Sequence, residues 1–337
     1  MTGIALELAD FWRAAASPVP LVIVGGGRWG RTWLSVVVAA RGSAEGVVLA
    51  ARSRPDEVRT WAAARAELAG LTVVPTVAEA MLADRQPQAA IISSRPRDHV
   101  RDGIDALGHG LHVLVEKPLG VDPESGRTLV AAARHKKRVL AVGTEFAYLP
   151  AFHQLSAELA GAGSADMTLI WEDVENEVRH GATKARHEET GLLYDLLPHA
   201  FSILQVFVPN AGLRIGAAQE SPDGCQGHIE FRDDRGGRHE FRCHTRATAR
   251  RRWLEIRTEA GLASIDFSGA HGGMTINGKP HALDPRMAVM ASTLRLELGA
   301  FLSQVTGATD AAFPGWDVSG LLAVQEDLKR ALATPGT

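Results

Sequence analysis

Cysteine is nearly absent from this chain of 337 residues. Only Cys225 and Cys243 occur, too few for a disulfide framework, and both are expected to be free thiols. Tyrosine is as scarce, with Tyr148 and Tyr194 alone. No apolar run approaches the roughly 20 residues that a membrane-spanning helix needs. There is no basic surplus either: the net charge is −3, which points away from nucleic acid and anionic membranes as partners. The densest basic run, ARRRW at 249–253, precedes an alternating pattern and is expected to be a solvated strand edge. Thirteen histidines are scattered without HExxH, paired CxxC or another metal-ligand spacing, so no metal is assigned. The opening MTGIALELADFWRAAASPVP lacks the basic n-region of a signal peptide and carries Glu7, Asp10 and Arg13. It reads as a short amphipathic helix with Ile4, Leu8 and Phe11 on one face, ended by the Pro18–Pro20 stretch. A soluble, cytoplasmic protein is expected.

What is present divides into two halves with different periods. Residues 20–143 repeat a short β-branched run, a turn and a helical pattern. The strand candidates are LVIV (21–24), VVLAA (47–51), TVV (72–74), AAIIS (89–93), LHVLV (111–115) and VLAVG (139–143). Continuous apolar strands alternating with helices predict an α/β domain, a doubly wound parallel sheet covered on both faces. After Pro150 and a helix through Ala160 the pattern alternates instead. In GHIEFRD (227–233) Ile229 and Phe231 face one way, and His228, Glu230 and Arg232 the other. HEFRCHT (239–245) and WLEIRTE (253–259) repeat this, and MTLIWEDVENEV (167–178) follows it loosely. Such strands predict a mostly antiparallel sheet with one open face. Two amphipathic helices are expected at about 286–306, with Met290, Leu294, Leu298, Phe301 and Val305 in register, and at about 316–332. The expected domains are 1–146, with 1–19 as a helical extension, and 147–337, an α+β domain for substrate binding and oligomerisation.

Three motifs carry chemistry. The first strand runs into GGGRWG, where Gly25, Gly27 and Gly30 form G-x-G-x-x-G. Glycines there permit a tight turn and close approach of a pyrophosphate, which the following helix N-terminus attracts. The fifth strand ends in EKPLG, placing Glu116, Lys117 and Pro118 at its carboxyl edge, where open α/β sheets bind ligands. GLLYDLLPHAF (191–201) sets Asp195 and His199 four residues apart in an apolar run. Asp195 reads either as a helix N-cap, with Pro198 in the first turn, or as a functional acid. His199 reads either as a core histidine or as a proton donor.

This ordered set, GGGRWG, EKP and D-x-x-P-H followed by a β-rich half, resembles the glucose–fructose oxidoreductase / inositol dehydrogenase family (Gfo/Idh/MocA). The match runs over nearly the whole chain from Leu21. The resemblance implies an N-terminal Rossmann domain, an open-faced sheet often used for oligomerisation, and pyridine-nucleotide redox chemistry. It implies that Lys117 touches the nicotinamide and the reacting oxygen, and that Asp195 and His199 are the acid/base pair. Residues i and i+4 share a helix face, so both can reach one substrate. Family members acting on sugars commonly carry an arginine in a segment of the kind GFNRRFxP. Here the segment is GTEFAYLP (143–150), with Ala147 in that place and Tyr148 beside it as a replacement donor or alternative acid. Residues 179–191, with Arg179, Lys184, Arg186 and His187, read as a solvated loop that would bind a carboxylate or phosphate if folded over the cleft.

The second strand is followed by Arg52, Ser53 and Arg54, where an NAD-specific domain usually carries an acid. Guanidinium groups grip a 2′-phosphate, so NADP(H) is the expected cofactor, with NAD(H) the alternative. The candidate cofactor contacts are Gly25, Gly27, Arg28, Trp29 and Gly30, then Arg52, Ser53 and Arg54, then Ser93, Ser94, Arg95 and His99 after the fourth strand, and finally Glu116 and Lys117. The candidate catalytic residues are Lys117, Asp195, His199 and Tyr148. The expected function is hydride transfer between nicotinamide and a small polar carbonyl, alcohol or imine, the substrate being an anion if the 179–191 loop contributes. The alternatives are an NAD(H)-dependent sugar or cyclitol dehydrogenase, or a non-catalytic NADP(H) sensor. A homodimer or homotetramer built through the open sheet face is expected.

Overall fold

The continuous apolar runs of the first half form strands buried on both faces. The computed structural model describes residues 3–175, 178–179, 182–183, 190–269, 273–308 and 317–333. After helix α1 (Gly3–Ala14) the chain alternates β1 (Leu21–Val24), α2 (Arg28–Arg41), β2 (Val47–Ala50), α3 (Pro55–Ala63), β3 (Thr72–Val74), α4 (Val77–Ala80), β4 (Ala89–Ile92), α5 (Pro96–Gly108), β5 (His112–Glu116), α6 (Pro123–Lys136) and β6 (Leu140–Gly143). The six strands are parallel in the order β3-β2-β1-β4-β5-β6. This is a Rossmann sheet, and its order reverses between β1 and β4, where such sheets open a crevice at the strands' carboxyl ends. The loops after β1, β4 and β5 therefore converge on one edge.

The second half begins with α7 (Pro150–Glu158) and β7 (Asp166–Val174), then a short pair, β8 (Val178–Arg179) and β9 (Ala182–Thr183), and α8 (Leu192–Phe207). There follow β10 (Arg214–Glu220), β11 (Gln226–Arg232), β12 (Arg238–Ala247), β13 (Arg251–Thr258), β14 (Gly261–Asp266), β15 (Gly273–Ile276) and β16 (Lys279–His281). They form an eight-stranded sheet in the order β10-β11-β12-β7-β13-β14-β15-β16, antiparallel except for the β12–β7 pair. Leu169, Trp171, Ile229, Phe231, Phe241, Leu254 and Ile256 are buried on one face, and α8 packs against β11. Glu230, Arg232, Arg242 and Arg257 stay exposed at alternate positions. The period-two pattern thus reads out directly as one covered and one open face.

Two expectations are corrected. The basic run is no strand edge: β13 lies in the interior of the sheet, and Arg252 is fully buried opposite Trp171. The expected helix 286–306 is broken into α9 (Pro285–Ala288) and α10 (Thr293–Val305), because the Ser292 side chain caps a new helix by accepting the Arg295 N–H. The last helix is α11 (Val318–Ala333).

The chain divides into two compact units, Glu7–Glu145 with Ser292–Val318, and Met1–Leu6 with Phe146–Ala291 and Ser319–Thr337. The described residues of 292–318 fall in the unit that holds the Rossmann sheet. The reason is packing: α10 lies against α2, and a Cβ at Gly299 would stand 1.7 Å from the Phe11 carbonyl oxygen, so only glycine allows the approach of α1. Cys225 and Cys243 are free, buried thiols. Burial, helped by the charge of Glu220, pushes the Cys243 thiol up to about 12, so it stays protonated. No helix of the described residues is long and apolar enough to cross a membrane.

Candidate active site

In the first unit the site is laid down by the glycine loop. Gly25 has φ +119°, and a Cβ on it would lie 2.8 Å from the Ser93 carbonyl oxygen. A Cβ on Gly30 would fall 1.7 Å from the Gly25 oxygen, so the turn closes onto α2 only with glycine at both places. Around Gly27 a Cβ would meet nothing, leaving open space at the helix start. Gly27 is the N-cap and provides no side-chain cap to the first N–H groups of α2. Those donors and the positive end of the helix fit the pyrophosphate of a dinucleotide. Arg28 and Trp29 are half-buried on the first turn, and Arg31 donates to the Gly26 carbonyl (3.2 Å), a latch the motif does not show.

Arg52, Ser53 and Arg54 stand exposed after β2. Each arginine has a carboxylate: Arg52 donates to buried Asp102 (2.6 Å), and Arg54 pairs with exposed Glu57 (3.2 Å). After β4, the Ser93 hydroxyl is spent on the Val24 carbonyl (3.0 Å), while the buried Ser94 hydroxyl makes no hydrogen bond among the described residues. Arg95 is the exposed N-cap residue of α5. His99, expected to touch the cofactor, is instead buried with its ring nitrogens against two protein carbonyls, at Ser94 and Pro118.

Glu116 departs from expectation in the same way. It is buried, accepts the Trp33 indole N–H (2.7 Å) and lies over Gly143, where a Cβ would come within 3.2 Å of its Oε2. It therefore supports the lysine loop from behind. Burial pushes its carboxyl up to about 7, with the charge of Glu145 adding and the Trp33 bond and Lys117 opposing. Lys117 itself is half-buried at the strand end, joined by a cis peptide to Pro118. Glu297 on α10 went unnoticed in the sequence. It is fully buried, its Oε1 accepts the Thr144 N–H (2.6 Å), and burial plus Glu145 and Glu116 raise its pKa well above the usual carboxylate range. A single acid amid the apolar LRLELGAFL was the available signal.

In the second unit α8 carries the expected acid/base pair. Its N-cap is Gly191, and the carboxylate of Glu220 on β10 caps it by accepting the Leu192 (3.3 Å) and Leu193 (3.1 Å) N–H groups. The N-cap alternative for Asp195 is thereby removed: Asp195 lies inside the first turn, and Pro198 lies inside the helix, not at its start. Pro198 brings no N–H to the Tyr194 carbonyl, and surrounding packing carries this cost. His199 is buried and stacked on Trp171, with ring centroids 5.1 Å apart and planes at 10°. Phe146 stands edge-on to both rings, at 5.3 Å from His199 and 5.0 Å from Trp171. The Arg252 guanidinium lies 3.8 Å from the Trp171 ring centre, donates to the Glu172 carbonyl (2.5 Å) and is paired with buried Asp173. Asp195 and Tyr194 are half-buried, and Tyr148 is fully buried. Of the expected loop, Lys184, Arg186 and His187 lie outside the described residues. A cavity of about 330 Å³ opens at the far end of α8, lined by Leu159, Phe207, Asp233, Arg235 and Ile256; no candidate catalytic residue lines it.

These features agree with what the chain is similar to. Residues 19–144 match the model of the Gfo/Idh/MocA family, described as an oxidoreductase family with an NAD-binding Rossmann fold. The match covers the Rossmann part of the chain, which is thus similar to an NAD(P)-binding oxidoreductase family. No curated protein matches it. Among solved structures, UDP-N-acetylglucosamine 3-dehydrogenase GnnA from Acidithiobacillus ferrooxidans is 19% identical, with 93% of this chain and 97% of that chain covered and a TM-score of 0.72. GenD2 from gentamicin A biosynthesis, in complex with NAD, is 20% identical, with 94% of each chain covered and a TM-score of 0.73. KijD10, a 3-ketoreductase from Actinomadura kijaniata in complex with NADP and TDP-benzene, is 17% identical, with 94% and 98% covered and a TM-score of 0.74. The resemblance read from the motifs is thus shown, as are the Rossmann sheet and the mostly antiparallel second sheet.

Proposed function

We propose that the chain is an NADP(H)-preferring reductase or dehydrogenase acting on a small polar carbonyl, alcohol or imine. The observation that carries this reading is the setting of His199, a titratable ring held between aromatic walls on the helix that also bears Asp195. A nicotinamide, when bound, exchanges the hydride. His199 delivers the proton that completes reduction of C=O or C=N, or removes it in the reverse direction. Lys117 holds the negative charge that develops on the reacting heteroatom. Asp195 orients the ring or steadies its protonated form, and fully buried Tyr148 is assigned to packing.

His199→Ala should lower turnover by roughly a hundredfold or more and leave cofactor affinity nearly unchanged. Unchanged turnover removes the assignment. The substrate panel should include ketones, aldehydes, imines and nucleotide-linked sugars, because the names of two similar structures refer to UDP- and TDP-linked compounds. A homodimer or homotetramer through the open sheet face is part of the proposal. Its polar, strand-rich surface suits a mixed interface, and a monomer mass by light scattering at micromolar concentration would exclude it.

A further inference from the structure

We propose that His99 is a doubly protonated clamp that joins the loop after β4 to the loop after β5 and thereby positions Lys117. The proposal rests on the reading that Lys117 acts on the reacting heteroatom. His99 is 1% exposed on the first turn of α5. Its Nδ1 lies 2.8 Å from the carbonyl oxygen of Pro118, and its Nε2 lies 3.1 Å from the carbonyl oxygen of Ser94. Both are hydrogen-bond distances.

The chemistry of the two partners decides the state of the ring. A carbonyl oxygen only accepts, and a neutral imidazole has one N–H and one bare nitrogen. With one proton, the ring would set a nitrogen lone pair against an oxygen lone pair inside a site closed to water. With two, both contacts become charge-assisted hydrogen bonds, about twice as strong as neutral ones. The charged groups on the elements that meet the ring are Arg95, Arg97, Asp98, Arg101, Asp102 and Asp105 on or beside α5, and Glu116 and Lys117 at the end of β5. Asp102 accepts from Arg52 and Arg101, and the two carbonyls lie within hydrogen-bond distance of the ring nitrogens.

The consequence is positional. Pro118 follows Lys117 directly, so a bond to its carbonyl fixes the peptide that carries the lysine. Ser94 belongs to the neighbouring loop at the sheet's switch point. One side chain therefore sets the spacing of two loops on the cofactor edge, and its sequence position, inside SSRPRDH, gives no sign of this.

The test combines spectroscopy and kinetics on the full chain. In protein labelled with ¹⁵N-histidine, the His99 ring, assigned by its through-space contacts to Pro118 and Ser94, should show a proton on both nitrogens at pH 7. A bare ring nitrogen overturns the proposal. His99→Gln, whose donors share one uncharged amide nitrogen, should lower kcat about tenfold while the Kd for NADPH changes less than about threefold. An unchanged kcat overturns the positioning role even if the ring is doubly protonated. Lys117→Met separates the two readings: if it turns over normally, the lysine's role fails and the positioning role with it. If Lys117→Met is inactive and His99 is singly protonated, the clamp fails and the lysine reading stands.

Discussion

His199 and Trp171 stack almost parallel, a catalytic candidate on α8 resting on an indole from β7. Sequence separates them by 28 positions, and only the packing of α8 on the sheet brings their rings together. The indole holds the imidazole plane and excludes water from one side of it. An aromatic contact of this kind contributes about 0.5–1.5 kcal/mol beyond burial. Trp171→Leu is expected to lower kcat by up to about tenfold, since about 1.4 kcal/mol corresponds to a factor of ten. Trp171→Phe should retain most of the rate. Equal rates for the leucine variant and the unmodified enzyme would show that the stack does not orient the ring.

The second prediction concerns the buried pair Arg252–Asp173, both partners nearly or fully inaccessible. Removing one member leaves an uncompensated charge in the core, which costs about 3–5 kcal/mol. Asp173→Ala should therefore lower the thermal midpoint of unfolding strongly. The double replacement Arg252→Met with Asp173→Leu should recover much of the loss, because two apolar side chains leave no buried charge. Similar midpoints for the single and double variants would contradict this account.

Cofactor choice follows from the edge after β2. NADPH should bind more tightly than NADH, and Arg52→Asp should narrow or reverse the ratio of their dissociation constants. The pairing of Arg52 with Asp102 adds a second handle. Asp102→Asn should loosen the guanidinium and weaken NADPH binding without affecting NADH. Equal constants for the two cofactors in the unmodified protein would refute the preference.

The buried carboxyls of Glu116 and Glu297 make stability depend on pH. Both have folded-state pKa values above their unfolded ones, so the folded protein holds protons that the unfolded chain has released. Their stabilising contribution is complete below the unfolded value of 4.5 and is lost as pH rises, for Glu116 through about 7. Denaturant unfolding should show stability falling across this window by an amount on the order of 3 kcal/mol for Glu116. Glu116→Gln keeps an acceptor for the Trp33 indole and should flatten the slope. A stability that rises steadily from pH 5 to pH 8 in the unmodified protein, unchanged in the variant, would rule out the raised values.

What the sequence by itself determined is whatever depends on neighbours along the chain. Apolar runs of four residues between turn signals, as in LVIV and AAII, pointed to strands covered on both faces, and the alternation of Ile229 and Phe231 with His228 and Glu230 to a half-open sheet. The glycine spacing before α2 likewise reports a backbone turn, a local property. Tertiary structure decided what depends on contacts across the chain. Glu220, from another element, supplies the cap of α8 that Asp195 was a candidate to provide. Arg252 is buried because Trp171 lies opposite it and Asp173 pairs with it, both on a strand about 80 residues away, a pairing that no local pattern encodes. Glu116 and His99, both candidate cofactor contacts, are buried with their polar atoms on Trp33, Ser94 and Pro118, partners that only the fold brings near. A side chain's type limits the chemistry it can do, but which atoms it meets is set by the fold, since hydrogen bonds and ion pairs act over a few ångströms in space and not along the chain.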